Sequence, residues 1–240
     1  MGVSGLLFNN NLVMYDRRDE EDPQSLYPQM TRAAITGPRT GDSLRLLPSL
    51  ETTWGYWRKL YPGTTVLSDE TGVYSALTYK NYPYGMYRLP GTLPFYHLAP
   101  PLDANPIGRV HDIKAVTLGL RFGDRTKAYP LSAMSPEAVI NDQVAGNQVL
   151  VVCYAKAHLA IAYDRTVLVD TGSHTLTFDR TPSDDPVYPF LLRDRETGSR
   201  WNLKGWAVEG ELRGARLRQL PAHNAYWFAW ATFWQDSEIQ

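Results

Sequence analysis

Residues 34–66 read AITGPRTGDSLRLLPSLETTWGYWRKLYPGTTV, and 173 positions later residues 207–239 read AVEGELRGARLRQLPAHNAYWFAWATFWQDSEI. Aligned without a gap, the two stretches share identical residues that include two Trp, two Gly and one Pro. In the first stretch these residues are Ala34, Gly37, Gly41, Leu44, Arg45, Leu47, Pro48, Trp54 and Trp57. Such a match in one register indicates an internal duplication, so the sequence predicts two related units.

Each copy ends in a segment that predicts a helix. In the first copy, Leu50, Trp54, Trp57 and Tyr61 are spaced four, three and four residues apart, which places them on one helical face. In the second copy, residues 223–234 are apolar nearly all round and predict a buried helix. We expect the tryptophans of both helices to lie in the core, and a ligand platform is the alternative.

Between residues 107 and 195 the chain carries short β-branched or alternating runs that are typical of strands. These runs are AVTLGLRF (115–122), TKAYPL (126–131), QVLVVCYA (148–155), HLAIAYDR (158–165), TVLVD (166–170) and HTLTFDR (174–180). One exception is SPEAVIN (135–141), where Ser followed by Pro predicts the start of a short helix. The predicted fold is mainly β with a few short α-helices (α+β), built as a duplicated sheet-plus-helix unit.

The repeat also predicts how the chain is divided. Residues 1–68 form a first, shortened repeat, residues 69–106 a Tyr/Pro-rich connecting loop, and residues 107–240 a second, longer repeat, together one compact globular unit. Long connections inside a compact protein are uncommon and often line a site. The tyrosines of this loop, Tyr82 and Tyr84 among them, therefore either pack as a strap across the sheets or face a ligand.

Composition excludes several classes of function. Lys and Arg number 24 against 25 Asp and Glu, so the basic surface that nucleic-acid binding requires is not expected. One cysteine cannot form an internal disulfide. No apolar run approaches the roughly 20 residues of a membrane span, and the first residues lack the pattern of a signal peptide. The sequence as written therefore predicts a cytoplasmic location.

Several blocks together resemble a bacterial and archaeal family known as domain of unknown function 3179. The blocks are GVSGLLFNNNLVMYDR, TTWGYW, TKAYPLS, VINDQVAGNQVLVV, AIAYDR, RDRETGSRWNLKGWAVEG and PAHNAYWFAW, which cover nearly the whole chain. The resemblance implies a duplicated domain and relatives that are exported, but no agreed activity. Family members typically carry a further first half with a paired-cysteine segment before the GVSGLL block, and this sequence does not contain it.

Candidates for catalysis come from the histidines, aspartates and the cysteine. His223 occupies the register of Leu50, so an imidazole stands where the other copy is apolar. It is a candidate base or ligand, and a structural His that bonds the N-terminal region of the helix is the alternative. Cys153 and His158 flank a short turn that could bring them together as a thiol site, although a buried structural Cys is the alternative. Asp164 and Asp194 belong to recurring Asp-Arg pairs, which cap turns more often than they catalyse.

Metal and cofactor signatures are weak. The G-x-S-x-G elbow, HExxH and EF-hand patterns do not occur, and no nucleotide or flavin fingerprint is present. The five histidines are scattered, at His97, His111, His158, His174 and His223. Oxygen-rich turns such as the one at Asp184 and Asp185 suit a divalent cation such as Ca²⁺, and they suit ordinary β-turns equally well.

The leading functional hypothesis is a small-molecule hydrolase that cleaves an ester, lactone or amide. In it a bound cation or His223 activates water, with His158, Asp164, Asp194 and Cys153 as further catalytic candidates. The candidate substrate-binding residues are Tyr82, Tyr84, Arg195 and Trp227. A non-catalytic module that binds a ligand or partner is the alternative, and a redox or metal role for Cys153 is a third possibility.

Overall fold

The structure is a computed structural model that describes residues 1–17, 23–89, 112–169 and 172–240. Strands dominate the described part of the chain, with three short α-helices, so the predicted fold class is confirmed. The strands, in chain order, are β1 (Gly2–Phe8), β2 (Asn11–Tyr15), β3 (Leu26–Pro28), β4 (Val116–Phe122), β5 (Arg125–Pro130), β6 (Glu137–Val144), β7 (Asn147–Tyr154), β8 (Leu159–Asp164), β9 (Thr166–Val169), β10 (Gly172–Thr175), β11 (Phe178–Pro182), β12 (Phe190–Asp194), β13 (Arg200–Trp201), β14 (Ala207–Glu209), β15 (Ala222–Tyr226) and β16 (Glu238–Ile239). The α-helices are α1 (Trp54–Leu60), α2 (Ala76–Lys80) and α3 (Trp227–Phe233).

The strands pair mostly as antiparallel neighbours. One sheet has the order β1-β2-β3, a second β6-β7-β8, a third β11-β12-β13-β14 and a fourth β15-β4-β5-β16, while β9 and β10 form a separate hairpin. In the fourth sheet β16 runs parallel to β5, and the other pairs are antiparallel. All six runs that the sequence singles out as strands contribute to these sheets.

The β6-β7-β8 sheet lies between two hydrophobic cores. Leu150 and Val152 of β7 pack into a core with α1 and the third sheet, whereas Val149 and Val151 point into a core shared with β4 and β5. All four side chains are fully buried. A strand covered on both faces reads as a continuous apolar run rather than an alternating one, which explains the sequence of β7. A third core surrounds α3 and includes Trp227 and Trp230.

The segment 135–141 is a strand, so the predicted helix is wrong. Glu137 begins β6, and Val139 and Ile140 pair with Val152 and Val151 of β7. Ser135-Pro136 is a purely local helix-start signal. Eight paired residues along β7 outweigh it, because β-branched side chains pack well on a pleated surface.

The two predicted helices form, but their limits and faces differ from the prediction. In the second copy the helix begins at Trp227, because Ala222–Tyr226 pairs with β4 as a strand. In α1 the buried residues are Tyr56 and Leu60, whereas Trp54 is 51% exposed. The expected core role is therefore wrong for Trp54 and correct for Trp227.

The two aligned stretches share some local geometry at the offset of 173 residues. The helices α1 and α3 occupy equivalent positions over their full length. The N–H of Leu44 donates to the carbonyl of Arg32, and 173 residues later the N–H of Leu217 donates to the carbonyl of Gly205. The duplication itself stays a prediction.

Candidate functional site

A cavity of about 820 Å³ opens between the first sheet and β15. Its wall combines residues of the β1-β2 hairpin, the segments 29–32, 44–51 and 82–87, β15 and the first turn of α3. Aliphatic and aromatic side chains form most of this wall. Ligand sites for small organic molecules typically have this size and this mixture of apolar and polar groups.

His223 lies on the cavity wall as a partly buried side chain of β15. Its Nε2 is 3.2 Å from the sulfur of Met30, and its ring lies 5.6 Å from the ring of Trp230 between centroids. Burial, and secondarily the positive charge of Arg32, lowers the pKa of His223 to about 4. The imidazole is therefore neutral at physiological pH.

Tyrosines form an aromatic side of the cavity. Tyr82, Tyr84 and Tyr87 come from the connecting loop, and Tyr226 comes from the end of β15. The rings of Tyr82 and Tyr84 meet edge to face at 5.6 Å, and those of Tyr87 and Tyr226 at 6.4 Å. Tyr84 is 60% exposed. Burial, then Tyr82 and Glu51, raises the pKa of Tyr226, which keeps its hydroxyl protonated.

The wall also carries polar side chains, among them the amides of Asn10, Asn11 and Gln29. Arg32, Arg45 and Glu51 are the charged residues that line the cavity, and Asn224 contributes an amide. Within the described chain, the side-chain oxygen of Asn224 is buried and has no hydrogen-bond partner. This oxygen has essentially no accessible surface, so it is an unsatisfied acceptor inside the protein rather than a contact for a molecule in the cavity.

The structure brings three predicted site residues to this cavity, namely His223, Tyr82 and Tyr84. Arg32 and Asn224 were missed by the sequence reasoning. A signal for Arg32 exists, because it stands two residues before the aligned repeat, in the register of Gly205. Asn224 has no comparable signal.

Asp194 lies in the third sheet and is fully buried. One carboxylate oxygen accepts from the N–H and the hydroxyl of Thr197, and the other accepts from Trp201 Nε1 at 2.8 Å. These bonds fix the turn between β12 and β13. The neighbouring Arg195 makes two bonds of 2.8 and 2.7 Å to Asp179 at an exposed position, and this pairing lowers the pKa of Asp179.

Asp164 ends β8 and pairs with Arg218 at 2.7 Å. It also accepts from the N–H of Thr166, so its contacts resemble those of a turn cap. Neither Asp164 nor Asp194 is among the residues that line the cavity. Their catalytic role stays a prediction.

Cys153 is fully buried in β7, opposite Ala138 and Ala160, and burial raises the pKa of its thiol. His158 is exposed, with left-handed backbone at the turn into β8. A buried thiol with a raised pKa is a poor nucleophile, so the geometry favours a structural role.

Trp227, a predicted substrate-binding residue, is also buried, at 1% exposure, within the core around α3.

Asp184 and Asp185 lie in a turn between β11 and β12. One oxygen of Asp185 accepts the N–H groups of Val187 and Tyr188, as in a common aspartate turn. Over residues 1–17, 23–89, 112–169 and 172–240, no three His, Cys, Asp or Glu side chains converge as a metal site. His97, His111 and the loop residues 90–106 lie outside the described residues. The cation stays a prediction.

The fold and the cavity define a mainly β protein with a preformed pocket of ligand size. The chain belongs to the family described as protein of unknown function (DUF3179), whose model matches residues 1–237, and the resemblance is thereby confirmed. A search of curated proteins and a search of solved structures each found no match. Within the described residues, no helix is long and apolar enough to cross a membrane.

Proposed function

We propose that this protein is a binding module for a small organic molecule with an apolar or aromatic body. The observation that carries this proposal is the formed cavity of about 820 Å³, whose wall includes four tyrosines and His223. Aromatic rings provide large contact areas that a bound ring can meet edge to face or offset-stacked. Polar side chains on the wall, Arg32 and Glu51 among them, can orient the ligand.

A fluorescence titration with N-phenyl-1-naphthylamine tests the proposal. This neutral aromatic probe emits strongly only in an apolar environment, so binding is read directly. We expect saturable binding by the wild-type protein and loss of binding in Ala225→Trp, because Ala225 lines the cavity and a larger side chain would fill it. Ala155→Trp is the matched control, since Ala155 is exposed and outside the cavity.

A second variant guards against misfolding of the cavity-filling variant. Tyr84 is exposed and lines the cavity, so Tyr84→Ala is expected to fold normally. Losing one aromatic contact of about 0.5–1.5 kcal/mol should weaken probe binding roughly 2- to 10-fold. The proposal would be contradicted if the wild-type protein did not bind the probe. It would also be contradicted if both cavity variants bound the probe as tightly as the wild type.

Hydrolysis of an ester, lactone or amide is the second candidate function. The observation that favours it is the neutral imidazole of His223 on the cavity wall, which can accept a proton from water. Binding ranks first because, among the described residues, His223 has no hydrogen bond to a carboxylate that would orient it. A panel of ester, lactone and amide substrates, read with wild type and His223→Ala, tests this candidate. Turnover that is lost in the variant would favour hydrolysis.

A further inference from the structure

Arg32 has a backbone conformation that is unusual for its residue type. Its φ is 60°, in the left-handed region, where a side chain with a Cβ is disfavoured. At the equivalent position of the second copy, Gly205 has a φ of 79°, which glycine adopts freely. The first copy therefore keeps an arginine where the backbone favours glycine, and such positions are concentrated at functional sites.

The surroundings of the two positions differ in one respect. A Cβ at Gly205 would lie 2.9 Å from the ring of Tyr163, so the second copy has no room for a side chain there. Tyr163 is buried and its hydroxyl donates to the carbonyl of Leu203 at 2.7 Å. In the first copy, the residue at this position, Arg32, lines the cavity.

The carbonyl equivalent to that of Leu203 belongs to Met30, and it accepts from Arg32 Nη1 at 3.2 Å. One structural role of Arg32 is thus to replace the tyrosine hydroxyl of the other copy. That bond uses one of the five N–H donors of the guanidinium. The other donors and the positive charge remain for a further partner.

Among the described residues, no carboxylate pairs with the half-buried guanidinium of Arg32. Burial, and then repulsion from Arg121, lowers the pKa of Arg32. Arg45 also lines the cavity, and Glu51 is the acidic residue on its wall. With His223 neutral, the described residues that line the cavity carry a net positive charge.

We propose that the ligand of this cavity is an organic acid whose anionic group is bound by the guanidinium of Arg32. This inference rests on the proposed binding function and specifies the class of ligand. A guanidinium binds carboxylate, sulfonate and phosphate oxygens through paired N–H donors. The apolar part of the acid would then lie against His223 and Tyr226.

Two probes with the same skeleton separate the anionic group from the apolar body. N-phenyl-1-naphthylamine is neutral, and 8-anilino-1-naphthalenesulfonate adds a sulfonate to the same two ring systems. We expect wild-type protein to bind the sulfonate more tightly. In Arg32→Gln the sulfonate should bind about tenfold or more weakly, as for a lost hydrogen bond to a charged group, while the neutral probe should be unaffected.

Arg213→Gln is the matched control, because Arg213 is exposed and outside the cavity, and the substitution removes the same charge. Arg32→Gly is a second variant that suits the left-handed backbone, and it should reproduce the loss of sulfonate binding in a folded protein. The proposal that the ligand is an organic acid would be overturned if the wild type bound both probes with equal affinity. An equal loss of affinity for both probes in Arg32→Gln would overturn it as well. Wild-type protein that binds neither probe would overturn the binding function itself.

Discussion

Lowering the pH from 7.5 to 5.0 should destabilise the folded protein through His223. Burial first, and Arg32 second, lowers the pKa of this imidazole from 6.5 to about 4. Below pH 6.5 the unfolded chain therefore takes up a proton at His223 that the folded protein does not take up until about pH 4. The contribution of His223 to the free energy of unfolding is fully present above pH 6.5. It declines by about 1.4 kcal/mol for each pH unit below 6.5, so the loss at pH 5.0 is roughly 2 kcal/mol.

Urea unfolding followed by tryptophan fluorescence measures this effect in wild type and in His223→Leu, at pH 7.5 and pH 5.0. Leucine is the residue that the first copy carries at the equivalent position, Leu50. The lowered pKa values of Asp142 and Asp179 place their titration below this pH window, and other groups titrate equally in both proteins. The free-energy loss of wild type should exceed that of the variant by roughly 2 kcal/mol. Equal losses would refute the assignment of His223 as a buried neutral imidazole.

Two further substitutions and one thiol reagent test the structure. Asp194→Ala should lower the free energy of unfolding by about 2–4 kcal/mol, because it leaves the buried Trp201 Nε1 and the adjacent turn without an acceptor. A loss below about 1 kcal/mol, measured by urea unfolding, would speak against this structural role of Asp194. Gly119→Ala should lower the free energy of unfolding by about 2–3 kcal/mol or prevent folding, because a Cβ there would overlap the Trp230 ring. A melting temperature equal to that of the wild type would contradict this expectation. A thiol reagent should label Cys153 only as fast as the protein unfolds, because the thiol is fully buried; rapid labelling of the native protein would reopen the thiol hypothesis.

The strands could be predicted where local pattern and tertiary environment agree. The run at 148–155 is apolar and β-branched, and in the fold it is the central strand between two cores. The segment 135–141 shows the limit, because its Ser-Pro start favours a helix and only pairing with β7 makes it a strand. Likewise, Trp54 lies on an apolar helical face in the sequence, but the neighbouring elements bury Tyr56 and Leu60 instead.

The candidate site could be predicted in part. Comparison of the two copies singled out His223, because it differs from Leu50, and the cavity includes it. Arg32 escaped the same comparison because it precedes the aligned stretch, and its meaning depends on a backbone angle that the sequence does not show. The recurring Asp-Arg pairs indicated turn capping more than catalysis for Asp194, and the three bonds that its carboxylate accepts became visible only in the fold.

The most direct test of the binding cavity is a crystal structure of the protein soaked with 8-anilino-1-naphthalenesulfonate. We expect the aromatic rings to lie between His223 and Tyr226, with the sulfonate within hydrogen-bond distance of Arg32. An empty cavity at saturating probe, or a probe bound solely elsewhere on the surface, would contradict the assignment of this cavity as the functional site.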